Sequence, residues 1–449
     1  MAPSLLKHCI LLGFLLVPNV SSQSYDRPIT DPTERVNHAL YGLGQWYNTS
    51  TGIWETAGWW NSANILTMIG DFAQIDPDDA HLQKVARRIF ANAVRKSPRK
   101  NPDPTRELPS TNSSAQSRSA TPPYRKSVDP RTFQPHSHLP AHWFDHESTR
   151  QDTDNTAALL SDSQFDESTL LKDFTPNPYD WLDGYYDDDL WWALAWITAY
   201  DATQHPTYLH LAEGIFSAVS STWGTNCSDG GVYWNYNRTY VNAITNTLFF
   251  STAAHLANRS GNTANYLDWA QRSLTWFLGS GMLNKNDTIN DGLDVNCANN
   301  NGEVWSYNQG VILGGLGELH VALGATDSTL LPLATRIAKA AINRLADEHG
   351  IIHDVCEERN SCGGDGTQFK GIFMRNAAKL YKHTGDEELS SQLEVISQSI
   401  WDKARKNKVF GNNWAGPRPG DGVTEGPNAS VQGSALDGLV AGVRVGHRR

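Results

Sequence analysis

Three consecutive aspartates, Asp187, Asp188 and Asp189, stand immediately before a strongly apolar segment near the middle of the chain. Carboxyl groups held a few ångströms apart oppose joint ionisation, so one keeps its proton to higher pH while its neighbour stays charged. The start of a helix acts in the opposite direction, because it favours the charged form. A protonated acid beside an ionised nucleophile is the pair that retaining glycoside hydrolysis requires.

Helix capping is the alternative explanation for these aspartates, since Asp is common at the N-cap and in the first turn. Capping needs one carboxylate, however, and this segment has three. Aromatic residues flank them, and their flat faces suit sugar rings as well as core packing: Tyr185, Tyr186, Trp191 and Trp192. The segment therefore favours a carbohydrate-cleaving site over capping alone.

The elements that would carry this site are helices. Apolar residues recur at helical spacing along most of the chain, and alternating strand patterns are nearly absent. One pattern repeats at Leu209-x-x-Ala212-x-x-Ile215, Leu267-x-x-Ala270 and Leu331-x-x-Ala334-x-x-Ile337, with a looser copy at Leu389. The copies start 58, 64 and 58 residues apart. Such an interval holds two helices with their loops, so the repeating unit is a helical hairpin.

We expect twelve helices in all, beginning near residues 33, 60, 80, 188, 206, 240, 262, 308, 328, 369, 386 and 430. Six such hairpins can close into an all-α (α/α)6 barrel, and an open solenoid is the structural alternative. The helix predicted over residues 188–203 is apolar almost all round, so it should lie on the inner ring.

One interval departs from this rhythm, because Leu82, the earliest copy, lies 127 residues before Leu209. The surplus is rich in Pro and Ser, and residues 96–155 hold nine of the chain's 21 prolines. Such a composition cannot supply a packed core, so we interpret it as a disordered or irregular insertion within a catalytic domain of residues 23–449. A structureless loop of this length is unusual inside a compact domain. A retained intron is therefore a second hypothesis.

The aspartate segment resembles the signature of glycoside hydrolase family 76, in which an Asp-Asp pair, a polar residue and a variable residue precede two aromatics. Further segments resemble the same family at residues 58–64 (GWWNSAN), 242–246 (NAITN), 305–310 (WSYNQG) and 362–371 (CGGDGTQFKG). The resemblance extends from about residue 33 to 440, apart from the insertion. The family contains fungal and bacterial endo-α-1,6-mannanases and cell-wall transglycosylases. The resemblance implies an (α/α)6 barrel and cleavage of α-1,6-mannosidic bonds with retention of configuration.

The resemblance also implies Asp187 as the nucleophile and Asp188 as the general acid/base, roles that spacing alone does not assign. Successive helical residues diverge by about 100°. A retaining site needs its two carboxyl groups roughly 5 to 5.5 Å apart. We therefore expect the pair to straddle the start of the helix, with Asp189 pointing away to cap the helix or orient a hydroxyl.

The same segments supply candidate substrate contacts. Aromatic faces would come from Trp59, Trp60 and Trp191. Side chains that can exchange hydrogen bonds with sugar hydroxyls are Asn61, Asn246, Tyr307, Asn308 and Gln309. Each of these residues has loop capping or core packing as its alternative. Asp365 is either a substrate contact or part of a structural turn.

The first residues have the features of a secretory signal peptide over residues 1–22: a basic Lys7, an apolar run over residues 9–17 and small residues before the predicted cleavage site. The end of the chain has no hydrophobic tail of the kind that precedes a GPI anchor. We therefore expect a secreted protein, extracellular or associated with the cell wall, without a stable membrane anchor. Sequons agree with a secretory route and begin at Asn48, Asn112, Asn226, Asn237, Asn258, Asn286 and Asn428.

Cys9 lies in the predicted leader, which leaves four cysteines, a number that suits two disulfides in an oxidising compartment. Proximity in the sequence pairs Cys356 with Cys362. Cys227 then pairs with Cys297.

The formal charge is −11, and it becomes −12 when the leader with its single Lys7 is removed. This balance disfavours nucleic acid and anionic membrane as partners and suits a neutral α-mannan or manno-oligosaccharide. We expect no cofactor and no metal. The histidines at positions 136, 138, 142 and 146 lack an acidic scaffold, and residues 290–301 lack the alternating ligands of a calcium loop. A mannan transglycosylase and a non-catalytic carbohydrate-binding protein are the alternative functions.

Because the insertion is surplus to the repeat, deleting residues 100–150 should leave folding and activity largely intact. The measurement is the yield of soluble protein and its turnover beside the full chain. Loss of soluble protein would show that the segment packs against the barrel. Tryptic peptides from residues 107–150 in the secreted protein would exclude the retained intron.

Overall fold

The computed structural model describes residues 28–104, 166–419, 421 and 425–446. Twelve long helices account for most of this part of the chain. They are α1 (Pro32–Gly44), α2 (Trp59–Ile75), α3 (Ala80–Lys96), α4 (Tyr186–Thr203), α5 (Pro206–Ser220), α6 (Ala243–Ala257), α7 (Thr263–Gly279), α8 (Ser306–Ala322), α9 (Leu330–Leu345), α10 (Phe369–Thr384), α11 (Glu387–Lys403) and α12 (Ala429–Gly446). Each begins within three residues of its predicted start.

The even-numbered helices form a closed inner ring. Around this ring α2 packs against α4, α4 against α6, α6 against α8, α8 against α10, α10 against α12, and α12 returns to α2. The odd-numbered helices pack outside it, as α5 does on α4 and α7 on α6. The predicted all-α (α/α)6 barrel is therefore confirmed, and the contact between α12 and α2 excludes an open solenoid.

Helical periodicity separates the two rings. Every residue of α6 is buried, as expected for a helix with neighbours on all sides. The outer helix α9 buries one stripe, with Leu330, Ala334, Ile337, Ala338 and Ala341 at helical spacing. The predicted inner position of the helix that follows the aspartates is confirmed, since Trp192 and Trp196 of α4 are fully buried.

Each outer helix returns the chain to the same end of the barrel, so all six inner helices begin there. At the opposite end, where they finish, partly buried ion pairs lie between neighbouring helices. Arg259 joins Asp201 and Glu318 at 2.7 and 2.8 Å, and Lys379 joins Asp71 at 2.9 Å. Cations at this end match the negative pole of the helix dipoles.

Two small antiparallel hairpins and several one-turn helices complete the regular structure in the part of the chain that is described. In the first, Tyr47–Asn48 pairs with Ile53–Trp54, and in the second, Arg405–Lys406 pairs with Val409–Phe410. No helix within the described ranges is long and apolar enough to span a bilayer.

The predicted signal peptide and most of the predicted insertion, residues 105–155, lie outside the described residues. The first residues assigned to the insertion belong to the fold. Lys96 ends α3, Ser97–Lys100 forms a 3-10 turn, and the buried Asn101 donates from Nδ2 to the carbonyls of Asp180 (3.0 Å) and Leu182 (2.8 Å). Because Asn101 holds the segment that leads into the aspartates, a deletion should begin after residue 104.

Both predicted disulfides are confirmed. Cys227–Cys297 joins two loops that are 70 residues apart in sequence, and Cys356–Cys362 closes a loop of six. The second bridge links the short helices Val355–Glu358 and Gly363–Gly366.

Removing the long-range bridge should destabilise the fold more than removing the local one. A cross-link restricts the unfolded chain more strongly when it closes a longer loop, so we expect losses of about 4 and about 2 kcal/mol respectively. The test is urea unfolding of Cys227→Ser/Cys297→Ser and Cys356→Ser/Cys362→Ser, each serving as the control for the other. A larger loss from the local pair would contradict the loop-length argument.

Candidate active site

A cavity of about 350 Å³ opens at the end of the barrel where the inner helices begin. Four carboxylates line it, contributed by Asp187, Asp188, Asp291 and Asp365. Among the described residues that line it, no lysine, arginine or histidine occurs. The remaining wall is mostly aromatic: Trp60, Tyr185, Trp191, Trp234, Tyr240, Trp305, Tyr307 and Phe369. Aromatic faces with a few polar groups among them suit a sugar.

The first turn of α4 carries the adjacent aspartates into this cavity. Tyr185 is the N-cap residue with extended backbone angles, so Asp187 and Asp188 sit just past the change from loop to helix. Asp189 is fully buried and does not line the cavity. Its Oδ1 accepts the backbone N–H of Asp183 at 3.0 Å, which ties the preceding loop to the helix start.

A loop over residues 232–241 crosses the start of α4 and contacts the first aspartate. The indole Nε1–H of Trp234 donates to Oδ2 of Asp187 at 3.0 Å. The same loop accepts the N–H of Tyr186 on the Trp234 carbonyl (3.0 Å) and donates from the N–H of Tyr236 to the Gly184 carbonyl (3.1 Å). The start of the helix is therefore fixed from outside α4. Sequence reasoning missed Trp234, because no local pattern connects it to Asp187.

One wall of the cavity is built from stacked rings. Trp60 of α2 stacks on Trp191 of α4, with ring centroids 5.6 Å apart. The indole Nε1–H of Trp60 donates to Oδ1 of Asp365 at 2.9 Å. Tyr307 stacks on Phe369 with centroids 3.8 Å apart. Asp365 thus fixes the Trp60 ring and lines the cavity at the same time.

The cavity lining also includes Asp291, a residue that the sequence indicated only as part of a rejected calcium loop. It accepts a hydrogen bond from the Tyr240 hydroxyl, and Asn300 donates to the Tyr240 oxygen at 2.9 Å. Burial raises the pKa of Asp291 above its ordinary value, although its contacts with Tyr240 and Trp305 oppose the shift. Burial, together with the neighbouring Asp291, raises the pKa of Tyr240.

Comparison with known proteins gives the family. Residues 140–443 match the profile of Glycosyl hydrolase family 76. The chain belongs to glycosyl hydrolase family 76. The family match begins inside the predicted insertion and continues into α12.

Curated relatives of this family 76 chain come from fungi. Mannan endo-1,6-alpha-mannosidase DFG5 of Saccharomyces cerevisiae is 26% identical over 287 residues, which is 59% of this chain and 61% of the relative. Putative mannan endo-1,6-alpha-mannosidase C1198.07c of Schizosaccharomyces pombe is 31% identical over 216 residues, 45% of this chain and 48% of the relative. The chain thus spans about half the length of the curated relatives that it matches.

Solved structures share the fold. Dfg5 from Chaetomium thermophilum, in complex with glucosamine, superposes with a TM-score of 0.64 at 16% identity, over 94% of this chain and 92% of the other. An inactive variant of an α-1,6-mannanase from Salegentibacter, in complex with α-1,6-mannotetrose, gives 0.61 at 16% identity, over 92% and 99%.

Several predicted contacts of this family 76 chain lie behind the cavity wall. Trp59 packs in the core against Trp181 and Trp192, with ring centroids 5.7 and 4.8 Å away. Asn308 is fully buried and does not line the cavity. Of the predicted contacts, those that line the cavity are Trp60, Trp191, Tyr307 and Asp365.

Three predicted amides hold the loops that carry the cavity residues. Asn61 donates to the Gly364 carbonyl beside Asp365 at 3.3 Å. Asn246 bonds both backbone groups of Val232, where the Trp234 loop begins, at 2.8 and 2.9 Å. Gln309 does the same for Ile289, two residues before Asp291, at 2.8 Å for each bond. These amides support the site through the backbone and do not reach its surface.

Asp354 anchors the start of α8, next to the cavity residues Trp305 and Tyr307. Its carboxylate accepts the backbone N–H of Ser306 at 2.8 Å and the Ser306 hydroxyl at 2.6 Å. Asp354 is buried, and burial raises its pKa from 3.8 to about 6 although both Ser306 donors oppose the shift.

This shift predicts a pH-dependent contribution of Asp354 to stability. Because its folded-state pKa lies above the unfolded value, the stabilisation from protonation is complete below about pH 4 and is lost as the pH rises through about 6. Asp354→Asn removes this pH dependence. The free energy of unfolding of the variant should therefore rise by roughly 3 kcal/mol relative to that of the parent as the pH increases from 4 to 8. Urea unfolding of both proteins across this range is the measurement. A constant difference would contradict the assigned pKa.

Proposed function

We propose that this chain is a glycoside hydrolase that cleaves within α-1,6-mannan with retention of configuration. In this proposal Asp187 is the nucleophile and Asp188 the general acid/base. The observation that carries it is the adjacent pair at the start of α4, inside an aromatic cavity of a family 76 barrel. A secreted or cell-wall location follows from the predicted leader and from the fungal mannosidase relatives.

The substrate class is supported by the relatives. Curated relatives are named mannan endo-1,6-alpha-mannosidases. The Salegentibacter structure holds α-1,6-mannotetrose in a protein made inactive by replacing two consecutive aspartates with alanine. An uncharged mannan chain also suits a cavity whose described lining has four carboxylates and no basic side chain. Such a lining would repel an anionic polysaccharide.

The reaction would proceed in two displacements. In the first, a carboxylate oxygen of Asp187 bonds to the anomeric carbon while the glycosidic bond breaks, and Asp188 gives its proton to the departing oxygen. In the second, Asp188 takes a proton from water, whose oxygen bonds to the anomeric carbon and releases Asp187. The rings that line the cavity would bind the sugar faces, among them Trp60, Tyr185, Trp191 and Trp234.

A transglycosylase is the second candidate. In that reaction a sugar hydroxyl takes the place of water in the second displacement. The observation in its favour is the structural similarity to Chaetomium thermophilum Dfg5, which was solved with the amino sugar glucosamine. Product analysis on linear α-1,6-manno-oligosaccharides separates the two activities, because transfer gives products longer than the substrate and hydrolysis does not.

Asp187→Asn and Asp188→Asn should each nearly abolish turnover of α-1,6-mannan. The two losses should differ in kind. Without Asp187 no glycosyl-enzyme forms, so an activated aryl mannoside should also fail to react. Without Asp188 an aryl leaving group should still depart, the intermediate should accumulate, and azide should restore turnover by attacking it.

Asp189→Asn is the matched control, because Asp189 belongs to the same helical turn but ties the Asp183 backbone outside the cavity. It should lower turnover far less than either neighbour. Each variant needs a melting curve close to the parent's before its kinetics are compared. Azide rescue of Asp187→Asn to a retained product, or an Asp189→Asn variant less active than the other two, would overturn the assigned roles.

A further inference from the structure

The nucleophile of the proposed reaction is contacted by a side chain from another element. Trp234, in the loop over residues 232–241, donates its indole Nε1–H to Oδ2 of Asp187 at 3.0 Å. We propose that Trp234 is a positioning residue that fixes the Asp187 carboxylate and keeps it ionised beside Asp188. This inference rests on the proposed function, since it assigns the group that prepares its nucleophile.

Trp234 is itself held on three sides. Its backbone N–H donates to the Tyr240 carbonyl at 2.7 Å, and its own carbonyl accepts the N–H of Tyr186 at 3.0 Å. The indole packs edge-on against Tyr185, with ring centroids 5.1 Å apart. Two of these three partners belong to the start of α4, the helix that carries Asp187. The donor and the acceptor therefore share one framework, and the hydrogen bond has a fixed direction.

The acidic surroundings of Asp187 disfavour its ionised form, which a neutral hydrogen-bond donor can stabilise. The titratable groups that line the cavity around it come from the start of α4, from the loop before α6, from the loop between α7 and α8, from α8 and from the short helix Gly363–Gly366. They are Asp188 and Tyr185, Tyr240, Asp291, Tyr307, and Asp365. All of these groups are acidic, and no residue of the described lining carries a positive charge. A hydrogen bond to an ionised oxygen favours the charged form of the acceptor, and the Trp234 N–H makes such a bond to Asp187.

The hydrogen bond from Trp234 affects Asp187 and Asp188 differently. The indole N–H acts directly on Asp187, whereas it acts on Asp188 only through the negative charge that it stabilises one residue away. A fixed charge on Asp187 raises the proton affinity of Asp188. One neutral donor therefore favours both an ionised nucleophile and a protonated acid, which is the combination that retaining hydrolysis needs.

Trp60 provides a matched comparison in the same cavity. Its indole Nε1–H also donates to a carboxylate, Oδ1 of Asp365, at 2.9 Å. Its ring also forms part of the aromatic wall, stacked on Trp191. Trp60→Phe and Trp234→Phe therefore remove the same chemical group from the same kind of hydrogen bond. Only the second bond involves the proposed nucleophile.

The experiment measures kcat/KM against pH for the parent, Trp234→Phe and Trp60→Phe with a dinitrophenyl α-mannoside. This leaving group needs little protonation, so the acidic limb of the profile reports ionisation of the nucleophile in the free enzyme. In Trp234→Phe the limb should move to higher pH by about one unit, the size expected for loss of one hydrogen bond to a charged group. In Trp60→Phe the limb should stay at the parent's position while KM rises.

An unmoved limb in Trp234→Phe, or equal shifts in both variants, would overturn the inference. If Trp234→Phe does not fold, indole ¹H–¹⁵N spectra of the parent and of Asp187→Asn replace it. One indole resonance of the parent should titrate with the midpoint of the acidic limb, and that titration should vanish in Asp187→Asn. Absence of such a resonance contradicts the inference. The proposed function fails separately, if Asp187→Asn keeps the parent's activity.

Discussion

Indole N–H groups hold two of the four carboxylates around the cavity, and the site depends on this arrangement. Trp234 donates to Asp187 and Trp60 to Asp365, while Asp291 accepts from the Tyr240 hydroxyl. Acidic groups crowded into a partly buried cavity raise one another's proton affinity. Their hydrogen-bond donors therefore determine how each carboxyl is oriented and which of them stays ionised. A lysine or arginine would add a full charge that favours ionisation of every nearby carboxyl. An indole donor orients one oxygen and affects its neighbours weakly, so an acid and its conjugate base can persist side by side.

These donors reach their acceptors only because the inner helices begin at one end of the barrel. Asp187 and Trp60 start α4 and α2, Trp305 precedes α8, and the loops between the rings bring Trp234 and Asp291 to the same opening. Buried amides then fix those loops by bonding their backbone groups, as Asn246 does at Val232 and Gln309 at Ile289. Asp354 likewise holds the start of α8, because its carboxylate accepts the backbone N–H and the hydroxyl of Ser306. The cavity thus lies where the inner helices begin, and the loops hydrogen-bonded behind it fix the positions of its lining residues.

The helices were predictable from the sequence because their signals are local. Apolar spacing and a repeat of about 60 residues set their number and order, and caps such as Asp79 and Asp386 set their first residues. The parts of the site that follow from one segment were predictable too, including Asp187, Asp188 and the stacked Trp60. Trp59 was harder, because α2 is buried on every side and adjacent residues in a helix diverge by about 100°. Periodicity cannot tell which of two neighbouring indoles faces the cavity. Trp234 and Asp291 lie in loops, and their partners, Asp187 and Tyr240, are 47 and 51 residues away in sequence. A local sequence pattern cannot predict contacts at that separation.

The two ends of the inner helices carry different charged groups. The inner helices begin beside Asp187 and Asp188, and they finish beside Arg259, Lys379 and Arg444, which pair there with Asp201, Glu318 and Asp71. The carboxylates at the first end meet the positive ends of the helix dipoles, and the basic groups at the other end meet the negative ends. The dipole of α4 stabilises negative charge anywhere in its first turn, and for that reason it cannot distinguish Asp187 from its neighbours. Two consecutive carboxyl groups need different protonation states to act as nucleophile and acid. In the proposed mechanism, a contact that reaches one of them from outside the helix provides that difference, and the loop that carries Trp234 makes such a contact with Asp187.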